Sequence, residues 1–108
     1  FLDSGTIVLT AFISPFKSDR KLVKSLFEEN QFLEVFIDSS LEICEKRDPK
    51  GMYKRARNGE IKDFTGVSSP YEAPENPNIH VKNDDISIEE ASGVIIRYLN
   101  EKKLIKIF

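Results

Sequence analysis

The chain has 108 residues, 40% of them hydrophobic and 31% charged, with a formal net charge of −2. These are globular proportions, suited to one domain or a piece of one that buries roughly two thirds of its unfolded surface if it folds by itself. The apolar runs are too short and too often interrupted by charge to form a membrane-spanning helix, and a single cysteine excludes an internal disulfide and fits a reducing, cytoplasmic setting.

In chain order, FLDSG at residues 1–5 reads as the last turn of a helix closed by Gly5, whose missing Cβ tolerates a left-handed cap. With phenylalanine rather than methionine at position 1, the expectation is that further chain lies upstream. TIVLTAFI (6–13) is an apolar, β-branched run bounded by Gly5 and Pro15, as expected of a central strand in a parallel sheet. SDRKLVKSLFEEN (18–30) places Leu22, Val23, Leu26 and Phe27 on one helical stripe, and FLEVFID (32–38) reads as a second buried strand. A right-handed crossover would set these two strands parallel and bring Ser14 and Asp38 to one edge. Ser39 with Glu42 fits a capping box for a helix through Arg47, and MYKRARN (52–58) reads as a short helix stopped by Gly59. Residues 60–78 carry three prolines and no periodicity, a loop long enough to suggest a lid. NIHV (78–81) reads as a strand, and Ser87 with Glu90 caps a helix that should turn Ile88, Ala91, Val94, Ile95 and Leu99 inward. The order is that of an α/β protein, which binds ligands beyond the carboxyl ends of its strands.

Charge is segregated. Residues 46–62 hold Lys46, Arg47, Lys50, Lys54, Arg55, Arg57 and Lys62 against Asp48 and Glu60, a local +5 that leaves −7 on the remainder. Lys50, Lys54 and Arg57 fall on one helical face, either as a seat for phosphate or sulfate oxygens or as a solvated basic surface. Phe64, isolated in a polar loop, either stacks on a base or makes a satellite contact under the lid. Ser14 in FISP either presents its backbone and hydroxyl to a ligand or satisfies a local turn. Cys44 and His80 lack partners at catalytic or metal-ligand spacing and read as structural. No metal-site pattern occurs, and no glycine is followed by lysine, so the G-x-x-x-x-G-K-[ST] phosphate loop is absent from these residues.

LTAFISPFKSDR, EVFIDSSLEICEKRDPKGMYKRARNGEIKDFTGV and SSPYEAPENP closely resemble, in this order, the carboxyl-terminal part of adenylylsulfate kinase (APS kinase), also found as the kinase domain of bifunctional PAPS synthases. The resemblance spans essentially residues 1–108 and implies the carboxyl-terminal portion of a single domain, with residues 46–78 as basic segment and lid. The implied fold is α/β, a parallel-sheet, P-loop-kinase-like three-layer fold represented by that portion. The implied activity moves the γ-phosphoryl group of ATP to the 3′-hydroxyl of adenosine 5′-phosphosulfate (APS), giving PAPS for sulfate assimilation. By position, Ser14 matches a serine described in the family as a phosphoserine intermediate; direct transfer between the nucleotides is the simpler route, with Ile13 and Ser14 as APS contacts. Lys50, Asp63 and Phe64 match APS-binding positions, Phe64 against adenine, and Arg47, Arg55 and Arg57 fall by looser correspondence on nucleotide and lid contacts.

The resemblance also implies Mg²⁺ accompanying ATP, held mainly by a preceding phosphate-loop segment, and a homodimer. It implies no membrane and no nucleic-acid partner. This portion by itself should not turn over, and the run 6–13 should present an open apolar edge. Two other readings compete with the kinase. A non-enzymatic remnant binding RNA or another polyanion through the basic segment would bind with steep salt dependence and little preference for APS. A pure oligomerisation module would not respond to nucleotides.

Overall fold

The computed structural model describes residues 7–28 and 31–104. Its elements are α1 (Lys17–Ser25), β1 (Val35–Asp38), α2 (Leu41–Arg47), α3 (Met52–Arg57), β2 (Ile79–Lys82) and α4 (Ile88–Glu101). The helical turn expected at residues 1–5 lies outside the described residues. β1 and β2 pair in parallel, with Val35 opposite Ile79 and Asp38 opposite Lys82, so Asp38 and Lys82 share the carboxyl edge. Ile79 and Val81 are buried on one face, and α4 packs against β2.

Helix starts follow local chemistry. Ser87 Oγ accepts from the Glu90 amide at 3.1 Å, the N-cap expected for α4, but Glu90 answers through the side chain, its Oε1 accepting from the Ser87 hydroxyl at 3.2 Å rather than from the Ser87 amide. At α2 the cap is Ser40, one residue later than expected. Its carbonyl accepts the first helical bond from Cys44 and its hydroxyl accepts from the Ile43 amide at 3.2 Å. Glu42 is consequently free to face Lys46 one turn on, at 4.0 Å. Ile88, the first residue of α4, is exposed rather than inward, while Ala91, Val94, Ile95 and Leu99 are half-buried.

The largest departure is in residues 7–13, which form no strand. A parallel strand exists only with a neighbour to complete its backbone ladder, and none of the described strands lies beside this run. The parallel pair is therefore β1 with β2, not 6–13 with 32–38. Ile7, Leu9, Phe12 and Ile13 are exposed, as are Leu22 and Leu26 on the apolar stripe of residues 22–27, but without a strand they form no open sheet edge of the kind expected. The total accessible surface, 8879 Å², exceeds the ~6,100 Å² of a folded monomer of this mass. The radius of gyration, 16.0 Å, likewise exceeds the ~13 Å of a compact chain of this length.

Candidate functional site

The basic segment is built around Asp48. This residue closes α2, and its carboxylate then turns to the next helix, Oδ1 accepting from the Tyr53 amide and Oδ2 from the Lys54 amide, both at 3.1 Å. Gly51 makes the corner between the helices at φ +67°, a conformation costly for any residue with a Cβ. The seven cations are then sorted by their neighbours. Arg57 reaches Glu45 at 2.7 Å, Arg55 reaches Glu60 at 3.2 Å, and Lys46 faces Glu42. Arg47 donates to the Asp84 carbonyl at 2.9 Å, while Asp84 Oδ1 accepts from the Ser40 amide, so Arg47 ties the end of α2 to the loop before α4. Among the described residues no ion pair involves Lys50, Lys54 or Lys62. The expected face of Lys50, Lys54 and Arg57 is thus reduced to its two lysines, Arg57 being committed to Glu45.

Phe64 stands beside this segment. Its ring meets Tyr53 of α3 edge to face, with centroids 4.9 Å apart at 76°. Burial, and then the neighbouring Cys44 thiol with Asp48 and Glu45, holds the Tyr53 phenol above its ordinary range. Cys44 of α2 thus lies beside Tyr53 of α3 and is half-buried. The residues around Phe64 are more ordered than their lack of periodicity implies. The Phe64 carbonyl accepts from the amides of Val67, Ser68 and Ser69, and the Phe64 amide donates to Ser68 Oγ at 2.8 Å. Asp63 at φ +51° and Gly66 at φ +89° permit this knot. A Cβ on Gly66 would stand 3.0 Å from Leu41 Cδ1, so the knot lies directly on α2.

Ile13 is exposed and Ser14 half-buried, with Ser14 at φ +42°. The ties of Ser14 run through Arg20, which donates to its carbonyl and faces Glu34, the residue before β1. Because residues 7–13 form no strand, the crossover expected to set Ser14 and Asp38 on one edge is not formed. The sequence reading passed over Arg20. Its signal was available, because Arg20, Val23 and Phe27 fall at i, i+3 and i+7, an arginine on the apolar stripe of its helix. His80 stacks on Phe36, its neighbour in register, at 5.0 Å and 10°, and meets Asp38 Oδ2 at 2.7 Å. Among the described residues no three His, Cys, Asp or Glu side chains converge as a metal site. No helix among them is long and apolar enough to cross a membrane.

A parallel strand pair with flanking helices defines an α/β protein, with Lys50, Lys54 and Lys62 and the half-buried Tyr53–Phe64 ring pair along residues 50–64. A family model described as adenylylsulphate kinase matches residues 1–82. The chain belongs to the adenylylsulphate kinase family. It is 54% identical over 106 residues to an adenylyl-sulfate kinase of Marinobacter nauticus, covering 98% of this chain and 53% of that protein. It is 55% identical over 113 residues to an adenylyl-sulfate kinase of Emericella nidulans, covering 97% and 55%. Among solved structures, the Mycobacterium tuberculosis APS kinase in complex with AMPPNP and APS superposes with a TM-score of 0.83 at 42% identity, covering 91% of this chain and 57% of that one. The parallel-sheet kinase fold is thereby shared, and the chain spans about half the length of the curated relatives it matches.

Proposed function

We propose that these 108 residues are the carboxyl-terminal, lid-bearing portion of a single adenylylsulfate kinase domain, with residues 46–78 as basic segment and lid. The intact enzyme transfers the γ-phosphoryl group of ATP to the 3′-hydroxyl of APS. The observation that carries this reading is the likeness, over nine tenths of the chain, to an APS kinase solved with an ATP analogue and APS. In the reaction the 3′-oxygen bonds to the γ-phosphorus as the bond to the β–γ bridging oxygen breaks; ADP leaves and the hydroxyl proton is released. Such transfer is mainly positioning and charge stabilisation. Lys50, without an ion pair among the described residues, supplies charge to APS, while Phe64, braced by Tyr53, stacks on its adenine. Asp63, Ile13 and Ser14 complete the APS contacts, and transfer is direct rather than through Ser14. Arg47, Arg55 and Arg57 act mainly by holding this segment in shape.

The partners in this reading are ATP and APS, the remaining length of the kinase packed against residues 7–27, and a second copy in a homodimer, in the cytoplasm and without nucleic acid. Mg²⁺ enters with ATP. In this reading the ion is held mainly by the preceding phosphate-loop segment.

The test is titration of APS, with ADP present, into the intact protein. Saturable binding should weaken by about 5- to 150-fold in Phe64→Ala, the range of one base–aromatic stack, and fall in Lys50→Ala. Binding that tracks only ionic strength, with APS no better than other polyanions, would return the basic segment to general polyanion capture.

A further inference from the structure

We propose that Arg20 is a positioning residue that fixes the Ser14 backbone and the descending arm of the lid, residues 71–75, as one unit. Its side chain is only 12% exposed, although α1 has no fully buried residue. From that position the guanidinium serves four groups on three segments. One terminal nitrogen donates to the Ser14 carbonyl, the other to the Glu72 carbonyl, Nε faces Glu34 Oε2 at 3.7 Å, and the group lies over the Tyr71 ring at 5.7 Å. Arginine suits this post because its planar fork aims several N–H groups in fixed directions, which a single ammonium cannot do.

The surrounding bonds close the unit. The Glu72 amide donates to the Pro15 carbonyl at 2.7 Å. Glu72 Oε1 accepts from the Lys17 amide at 2.9 Å, supplying α1 with the cap that Phe16 cannot provide. Lys17 Nζ reaches Glu75 Oε1 at 2.9 Å. Glu34 is itself held at the start of the sheet, its amide donating to Asn78 Oδ1 at 2.8 Å and its carbonyl accepting from Ile79. Arg20 thus joins the sheet to a loop whose Ser14 has positive φ, and to the post from which residues 60–69 would swing. Resting on the reading that Ile13, Ser14, Asp63 and Phe64 contact APS, the consequence is that Arg20 governs how APS is held without touching it.

The experiment compares Arg20→Lys and Arg20→Gln with the unaltered intact kinase, and uses Lys21→Gln on the same helix as a charge control. Backbone hydrogen exchange is read without substrate, and the KM values for APS and ATP and kcat are read with it. Expected are faster exchange at Glu72 and Lys17 in both Arg20 variants, and a KM for APS raised about tenfold with the KM for ATP unchanged. Lysine should fail to restore either property, and Lys21→Gln should leave both alone. Unchanged exchange in Arg20→Gln, or full rescue of exchange and APS KM by lysine, overturns the proposal. A parallel loss in both KM values and in kcat overturns it too, marking plain destabilisation. If the unaltered kinase does not phosphorylate APS, the functional reading falls, and exchange at Glu72 alone then decides whether Arg20 joins the two arms.

Discussion

Residues 7–27 and residues 35–101 spend similar apolar material to opposite ends. Both contain an amphipathic helix. The stripe of α4 is half-buried and the helix rests on β2, whereas Leu22 of α1 and Leu26, which closes it, remain 65% and 73% exposed. Helical periodicity identifies the face that gains by burial, roughly 1.5–3 kcal/mol for each large side chain, but it does not supply the surface that buries it. The carboxyl-terminal region finds that surface in β2. Among the described residues, the amino-terminal region is held by the polar clamp around Arg20 and by the Phe27–Phe32 ring contact at 5.7 Å.

The sharpest way to break this contrast is to truncate one residue on each side. Val81, 1% exposed, should lose about 2 kcal/mol on Val81→Ala in urea unfolding of the 108-residue chain. Leu9, 88% exposed, should change by less than about 0.5 kcal/mol on Leu9→Ala. Equal costs would mean that residues 7–13 are buried in solution. Next in size is the cap: Ser87→Ala should remove about 1 kcal/mol and lower the helical signal at 222 nm. Smaller still is Arg57→Gln, because the Arg57–Glu45 pair is partly exposed and salt-screened; less than about 1 kcal/mol should be lost, and 1 M salt should erase the difference.

The smallest effect concerns Glu75. Its carboxyl is held below the ordinary range, first by the hydrogen bond from Lys17 and then by that residue's charge. A depressed carboxylate pKa stabilises the fold above the ordinary carboxylate range, and that contribution disappears as pH falls through the depressed value. Because Glu75 is fully exposed, the change should be visible in an NMR titration of its side chain more readily than in unfolding. Lys17→Gln should return the carboxyl to its usual range.

Those contrasts mark where the sequence was informative. Short apolar runs, glycine stops and capping chemistry located β1, β2, α3 and α4 to within a few residues, because each is decided by neighbours close along the chain or by one partner strand, although β1, expected to be buried, leaves Val35 and Ile37 exposed. The run 6–13 misled because strand formation is a property of a pair, and β-branched composition says nothing about whether the second member is present. At the candidate site, segregated lysines and arginines were visible, but their commitments were not. Arg57 and Glu45 are twelve positions apart, and only the Asp48 corner brings them together. Arg20 was missed for a related reason: two of its partners are backbone carbonyls, which leave no trace in residue identity.

The Asp48 carboxylate has one further consequence. By taking the first amides of α3 it fills, from within the chain, the place where an incoming oxyanion could otherwise have been read by fixed dipoles. In the proposed reading a phosphate or sulfate meets the ammonium groups of Lys50, Lys54 and Lys62, which make no ion pair among the described residues and stand on long stems with many rotamers. Such groups sense how much negative charge arrives and are nearly indifferent to the shape that carries it. On the reading proposed above, discrimination between one nucleotide and another then falls to groups with fixed directions, the Phe64 ring braced by Tyr53 together with Ile13, Ser14 and Asp63, while the lysines set the strength of attraction.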